Sequence, residues 1–265
     1  MIYWDISPVA FTIGTLSVRW YGILVALAVI TLIVWALLAV RKGANLSYDT
    51  VFSAALVGIP SGVIISRLLH VLDLWEYYGQ HPGEIIGGSG LTIYGAVLGA
   101  ALGIWIYSRF RKISFGYFAD VLAPGIILAQ AVGRVGCLLN GCCYGVETDV
   151  FCAIVYSHPE SFAPIGIPVH PTQLYEIVFN LIVFVVLLKL RGRFQPAGSL
   201  FLIYLTIYSL WRFGIDFIRE GTDFFFGLHE AQVISIVVLI ITVTLLALRT
   251  RWVKKGEASS ENGEV

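Results

Sequence analysis

An all-α membrane protein is expected from the sequence, with seven transmembrane helices, the N-terminus outside, the C-terminus in the cytoplasm and a small extracytoplasmic cap. Three observations lead there. Of the 265 residues, 58% are hydrophobic and 13% charged, and the mean hydropathy of +0.84 implies more apolar surface than a water-soluble core can hide. The apolar residues fall in long runs, each about the length that crosses a bilayer. Basic clusters follow every second run, the pattern of loops retained in the cytoplasm. Positive and negative charges balance, and no basic stripe points to nucleic acid.

The elements follow in order. The first span, residues 20–40, ends at Arg41 and Lys42. Met1–Asp5 lacks a basic n-region and a small-residue cleavage site, so this span is expected to act as an uncleaved insertion signal. The second, 51–71, carries Arg67, and Pro60 should kink it. The third, 91–108, runs into Arg109, Arg111 and Lys112. The fourth, 115–140, is interrupted by Asp120 and Arg134. The fifth, 172–190, closes with Lys189, Arg191 and Arg193. The sixth, 199–218, holds Arg212 and Asp216. The seventh, 231–248, leads into Arg249, Arg251, Lys254 and Lys255.

Loops after the second, fourth and sixth spans instead carry Asp73, Glu76, Glu84, Glu147, Asp149, Glu160, Glu220 and Asp223, with Arg219 the basic exception. That alternation sets the orientation. Residues 1–252 are expected to form one integral membrane domain, with 145–170 as its external cap and 253–265 as a disordered cytoplasmic tail. Gly58 and Gly62, and Gly95, Gly99 and Gly103, recur every four residues, and close helix packing is their expected role.

Arg134 is the most informative residue. A guanidinium inside an apolar span costs roughly 2.5–3.5 kcal/mol on insertion scales, so it requires a partner or an aqueous cavity. Gly133, Gly136, Gly141 and Gly145 surround it with little bulk, and its planar fork suits a phosphate. The orientation gathers further polar groups toward the outer face: Arg212 and Asp216 one helical turn apart, Arg67 and His70, Gly87–Gly90 and Tyr94, and His170 with Glu176. Arg67 also reads as a snorkelling residue, Arg212 with Asp216 as a structural ion pair, and His170 as an interfacial residue.

Cys137, Cys142, Cys143 and Cys152 cluster near the same face. A disulfide, a soft-metal site and small apolar fillers all fit. With no C-x-x-C spacing, buried fillers are the default reading and an external disulfide the next.

The runs Ser17-Val-Arg-Trp-Tyr21-Gly22, Gly87-Gly-Ser-Gly-Leu91 with Tyr94-Gly95, Gly133-Arg134-Val-Gly136 with Asn140-Gly141 and Gly145, His170-Pro-Thr-Gln-Leu-Tyr-Glu176, Tyr208 with Arg212-Phe213, Asp216 and Arg219-Glu220, and Gln232 with Ser235 have a collective match. Over nearly its whole length the chain resembles the bacterial prolipoprotein diacylglyceryl transferases. The resemblance implies a multi-pass enzyme of the bacterial inner membrane. It would move the diacylglyceryl group of phosphatidylglycerol onto the lipobox cysteine of a prolipoprotein signal peptide, forming a thioether and releasing glycerol phosphate. It implies that Arg134 binds the phospholipid phosphate and that Arg212 is a second essential arginine, with Tyr21, Gly95, Asn140, Gly145 and Tyr208 in support. Three positions depart from the family pattern: Tyr94 stands for a histidine, Cys137 for an asparagine and Cys142 for a glutamate.

The chemistry suits these residues on its own terms. Displacing a phosphate ester builds negative charge on the leaving oxygens, which preorganised guanidinium groups stabilise in a water-poor site. The attacking thiol needs a base or a positive field to ionise. Tyr94, His170 and Asp216 are the candidates for that proton, Tyr94 first by position. No metal or organic cofactor is expected. A transporter for anions or lipids, a diverged enzyme with another acceptor, and a non-catalytic lipid or signal-peptide binder are the alternatives. The transporter is poorly supported, because the inner halves of the first, third and seventh spans are almost wholly apolar.

Overall fold

The computed structural model describes residues 1–87, 90 and 92–253. Three short strands open the chain: β1 (Ile2–Trp4), β2 (Val9–Ile13) and β3 (Leu16–Arg19). Next come α1 (Trp20–Arg41), α2 (Tyr48–Asp73), the single-turn α3 (Trp75–Tyr78) and α4 (Glu84–Gly87), α5 (Ile93–Phe110) and α6 (Phe115–Asn140). Then β4 (Ile154–Tyr156) and β5 (Pro168–Val169) precede α7 (Thr172–Leu190). The remainder is β6 (Phe194–Gln195), α8 (Ser199–Ile215), β7 (Asp223–Phe225), β8 (Leu228–His229), α9 (Glu230–Arg249) and β9 (Arg251–Trp252).

Six of these helices, α1, α2, α5, α6, α7 and α9, are long and apolar enough to cross a membrane; α8 is apolar but only 17 residues long. At 1.5 Å per residue it covers about 26 Å, short of the ~30 Å hydrocarbon core. The expected sixth span, 199–218, therefore overshoots the helix by three residues. Its last turn loosens because Phe217, Ile218 and Arg219 bond back to the carbonyls of Gly214, Ile215 and Asp216 at 3.2–3.4 Å. Exposed Val25, Ile30, Val34 and Leu38 on α1 and Val237, Ile240 and Ile241 on α9 suit a hydrocarbon solvent. The expected tail falls, beyond Val253, outside the described residues, as do Gly88, Ser89 and Leu91 of the glycine-rich stretch.

The chain divides into two compact units. One comprises Met1–Trp35 and the chain from Ala119 onward; the other is Ala36–Phe118. In the second, α2 and α5 pack antiparallel along their glycines. A Cβ on Gly62 would meet the Ala96 carbonyl at 2.9 Å, and one on Gly99 would meet the Ser61 carbonyl at 2.5 Å. Only residues without a side chain allow this approach, so the packing role expected for the stripe holds. Ser66 and Thr92 close the end of the pair where α5 begins, with Ser66 Oγ donating to the Thr92 carbonyl at 2.7 Å.

The first unit is built on α6, α7 and α8. Ala123, Ile127, Val183, Leu187, Leu200 and Tyr204 form its buried core, and Phe179 stacks on Trp211 at 4.2 Å. Asp120, which the sequence shows as a charge interrupting a span, accepts from the backbone N–H of Gly198 at 2.7 Å and of Phe201 at 2.8 Å. It thus satisfies two orphan donors at the start of α8, supplying from a neighbouring helix what a local cap normally provides.

The strands correct the all-α expectation in detail. Within 145–170, β4 pairs antiparallel with β5, and the N-terminal β1 adds to β4 in parallel, Ile2 opposite Ile154 and Trp4 opposite Tyr156. Leu138, Ile154, Tyr156, Ala163 and Val169 form a second buried cluster beneath them. The expected cap is therefore a small three-stranded sheet whose first strand comes from the start of the chain.

Candidate functional site

Three helices and one strand of the first unit bring a line of charges together. α6 presents Arg134, one turn before Cys137. α7 presents Glu176 from its second turn. α8 presents Arg212 and, at its C-terminal cap, Asp216. β8 ends at His229. The Arg134 Nε pairs with Glu176 Oε2; Arg212 Nη1 lies 3.8 Å from Glu176 Oε1 and 3.0 Å from Asp216 Oδ1; His229 Nδ1 lies 3.2 Å from Asp216 Oδ2. Two guanidinium groups and two carboxylates alternate, so the charges balance within a region that water reaches poorly.

The burial is asymmetric. The two carboxylates are 3% exposed, whereas Arg134 and Arg212 keep 17% and 16%. The guanidinium groups keep a share of accessible surface that their carboxylates lack. Arg212 Nη1 and Glu176 Oε1 complete no hydrogen bond, and buried polar groups with spare capacity call for a functional explanation. A Cβ on Gly133, the residue before Arg134, would meet nothing within 4 Å.

The surroundings hold this line in place. Thr172 Oγ1 donates to the Cys143 carbonyl at 2.6 Å and Gln173 Nε2 to the Cys142 carbonyl at 2.8 Å, fastening the start of α7 to the loop after α6. Gly145 lies in that loop, bridged to Arg219. A Cβ there would meet the His170 Cβ at 2.6 Å and Thr172 Cγ2 at 2.9 Å, so the position tolerates only glycine. Asn140 is buried and its Oδ1 accepts from Arg19 Nη1 at 3.2 Å. Tyr21 backs onto Gly136, whose absent side chain lets α1 approach α6. Tyr208 stacks on Tyr204 at 6.1 Å. Burial pushes the Tyr156 phenol above its ordinary range, so it stays protonated and donates to the Leu138 carbonyl at 3.3 Å.

His170 belongs to a separate polar string: its Nδ1 lies 3.4 Å from the Tyr175 hydroxyl, which lies 3.3 Å from Cys152 Sγ. Tyr94, Gly95, Arg67 and His70 belong to the second unit. There Gly95 is a packing residue, its Cα region closed by the Ser66 backbone. Arg67 is not a simple snorkelling residue. Its guanidinium donates to the carbonyls of Glu84, Ile85 and Gly90 at 2.5, 2.8 and 3.0 Å and lies over the Tyr78 ring, which ties the loop before α5 to α2.

His229 is the member that sequence reasoning did not single out; Glu176 was grouped with the polar residues of that face, but its pairing with Arg134 was not foreseen. Glu176 had a usable signal, a carboxylate in an apolar helix that a buried arginine elsewhere must balance. His229 had none, since it ends the two-residue strand β8 and meets Asp216 only through the turn back into α9. All four cysteines are free thiols.

A family model described as prolipoprotein diacylglyceryl transferase matches residues 8–248. A phosphatidylglycerol--prolipoprotein diacylglyceryl transferase of Dehalococcoides mccartyi is 48% identical over 97% of this chain and 98% of its own length. Proteins of that name from Symbiobacterium thermophilum and Clostridium novyi are 40% and 36% identical, each over 91% of this chain and over 92% and 95% of their own length. With the family model covering nearly all of it and relatives this similar end to end, the chain belongs to the prolipoprotein diacylglyceryl transferase family.

Proposed function

We infer that this protein transfers the diacylglyceryl group of phosphatidylglycerol to the lipobox cysteine thiol in the signal peptide of a prolipoprotein, at the bacterial inner membrane. The thiolate attacks the glycerol carbon that bears the phosphate, a C–S bond forms, the C–O bond breaks, and glycerol phosphate leaves with the bonding pair. The observation that carries the reading is the pair of guanidinium groups that keep some accessible surface while the carboxylates paired with them are buried. In our account Arg134 grips the lipid phosphate and Arg212, braced by Asp216, makes the second contact. Both strengthen as negative charge grows on the leaving oxygens. Glu176 sets the two guanidinium planes and lowers the cost of holding them in an apolar region.

For the thiol proton, Tyr94 is the acceptor favoured by its position in the sequence, although it stands where the family has a histidine. The Asp216–His229 pair is a second reading, favoured by the 3.2 Å contact, because a carboxylate that orients an imidazole is a recurrent arrangement for proton transfer. Seven spans with an external N-terminus complete the proposal, α8 crossing with the turn that follows it. The test is direct: purified protein is incubated with phosphatidylglycerol and a lipobox peptide, and the peptide is weighed. A mass gain of one diacylglyceryl group on the cysteine, absent when phosphatidylglycerol is omitted, supports the reading. An unmodified peptide with folded protein would refute it. Comparing Tyr94→Phe with His229→Asn across pH then separates the two proton acceptors, since only the true one removes the ionisation from the rate profile.

A further inference from the structure

The cysteines at the end of α6 and just after it have no part in that mechanism, yet three of them converge. The Sγ atoms of Cys137, Cys142 and Cys143 all lie within 4.8 Å of one another. Cys137 is buried, while Cys142 and Cys143 are partly open to solvent. A metal bound to three thiolates at ~2.3 Å sets its sulfurs about 4 Å apart in a trigonal plane, so closing this cluster on an ion needs sub-ångström shifts. We propose that Cys137, Cys142 and Cys143 form a trigonal thiolate site for a soft monovalent cation of the copper(I) class.

Several features bear on the choice. The backbone holding the thiols is fixed from α7, through the bonds of Thr172 and Gln173 to the carbonyls of Cys143 and Cys142. Cys143 adopts φ 64°, a conformation that costs a non-glycine residue of order 1–3 kcal/mol and persists where the surroundings impose it. The group contains three thiols and, among the described residues, no histidine or carboxylate; three soft donors without a fourth hard one favour copper(I) over zinc(II), which closes tetrahedrally. Cation charge stands nearby to offset the anionic complex. Arg134 Nη1 lies 4.0 Å from Cys137 Sγ, and Arg219 is held against the same loop by its bridge to Gly145. On binding, three S–H protons pass to the buffer as three S–Cu bonds form, and no electron is transferred.

The test uses the full-length reduced protein in detergent, titrated anaerobically with copper(I) against a competing chelator, and needs neither phospholipid nor peptide. One copper per chain is expected, with three sulfur neighbours in copper X-ray absorption. Cys142→Ser and Cys143→Ser should each weaken binding by more than the roughly 10–100-fold typical of losing an outer-shell partner, and Cys152→Ser should leave it unchanged. On the wild type, bound copper should block alkylation of Cys142 and Cys143, mapped by mass spectrometry, which covers the case of a serine variant that fails to fold. No stoichiometric binding, two-sulfur coordination, equal affinity in Cys143→Ser, or a preference for zinc(II) would each overturn the assignment.

Discussion

Arg134 illustrates how far a single side chain can be read from sequence. Its placement in an apolar span, among glycines, demands compensation, and the compensation proves to be Glu176, a residue on another helix. Periodicity reports which face of a helix a residue occupies, but not which helix stands opposite, so the Arg212–Asp216 pair was legible and the Arg134–Glu176 pair was not. Glu176→Gln removes the carboxylate paired with Arg134 and leaves Arg212 with Asp216 alone. Breaking a buried pair from one side typically costs about 3–5 kcal/mol, so this variant should show a markedly lower unfolding temperature in detergent than the wild type. Arg67 gives a contrasting case. A lysine keeps its charge but cannot reach three carbonyls held by a planar fork. Arg67→Lys should loosen the segment before α5, seen as faster proteolysis between Glu84 and Gly90 than in the wild type.

At the level of elements, the long helices were legible because each carries its own apolar run, and α6 and α7 begin and end where the hydropathy does. The strands were not. β1, β4 and β5 are two or three residues long, too short for an alternating pattern, and β1 finds its partner past the middle of the chain, at Ile154–Tyr156. The glycine stripe joining α2 and α5 was legible as packing, because spacing alone specifies it. Gly99→Val should force the helices apart, and overpacking of this kind costs about 1–3 kcal/mol. Asp120 was misread as an interruption; it caps α8 from α6. Asp120→Ala should destabilise the protein by roughly 0.5–2 kcal/mol, measured by thermal unfolding in detergent, while lipid-phosphate chemistry at Arg134 continues in the folded fraction.

For the molecule as a whole, orientation rests on basic loops alternating with acidic ones, a signal that the amino-acid sequence carries in full. Reporters that function only in the cytoplasm should be active when fused at Lys112 and Lys255 and silent at Asp149; activity at Asp149 would reverse the topology. The reaction is the remaining whole-molecule property, and its centre is the claim that Arg134 grips the lipid phosphate and stabilises the leaving group. Lysine preserves the charge and the pairing with Glu176 but loses the fork, and a lost charge-assisted contact of ~2–4 kcal/mol corresponds to roughly 10²–10³ in rate. The decisive measurement is the rate of peptide lipidation by Arg134→Lys, with insertion and folding matched to the wild type. A fall of that size is the predicted result; turnover near the wild-type rate in the well-folded variant would contradict it and leave Arg134 a structural residue.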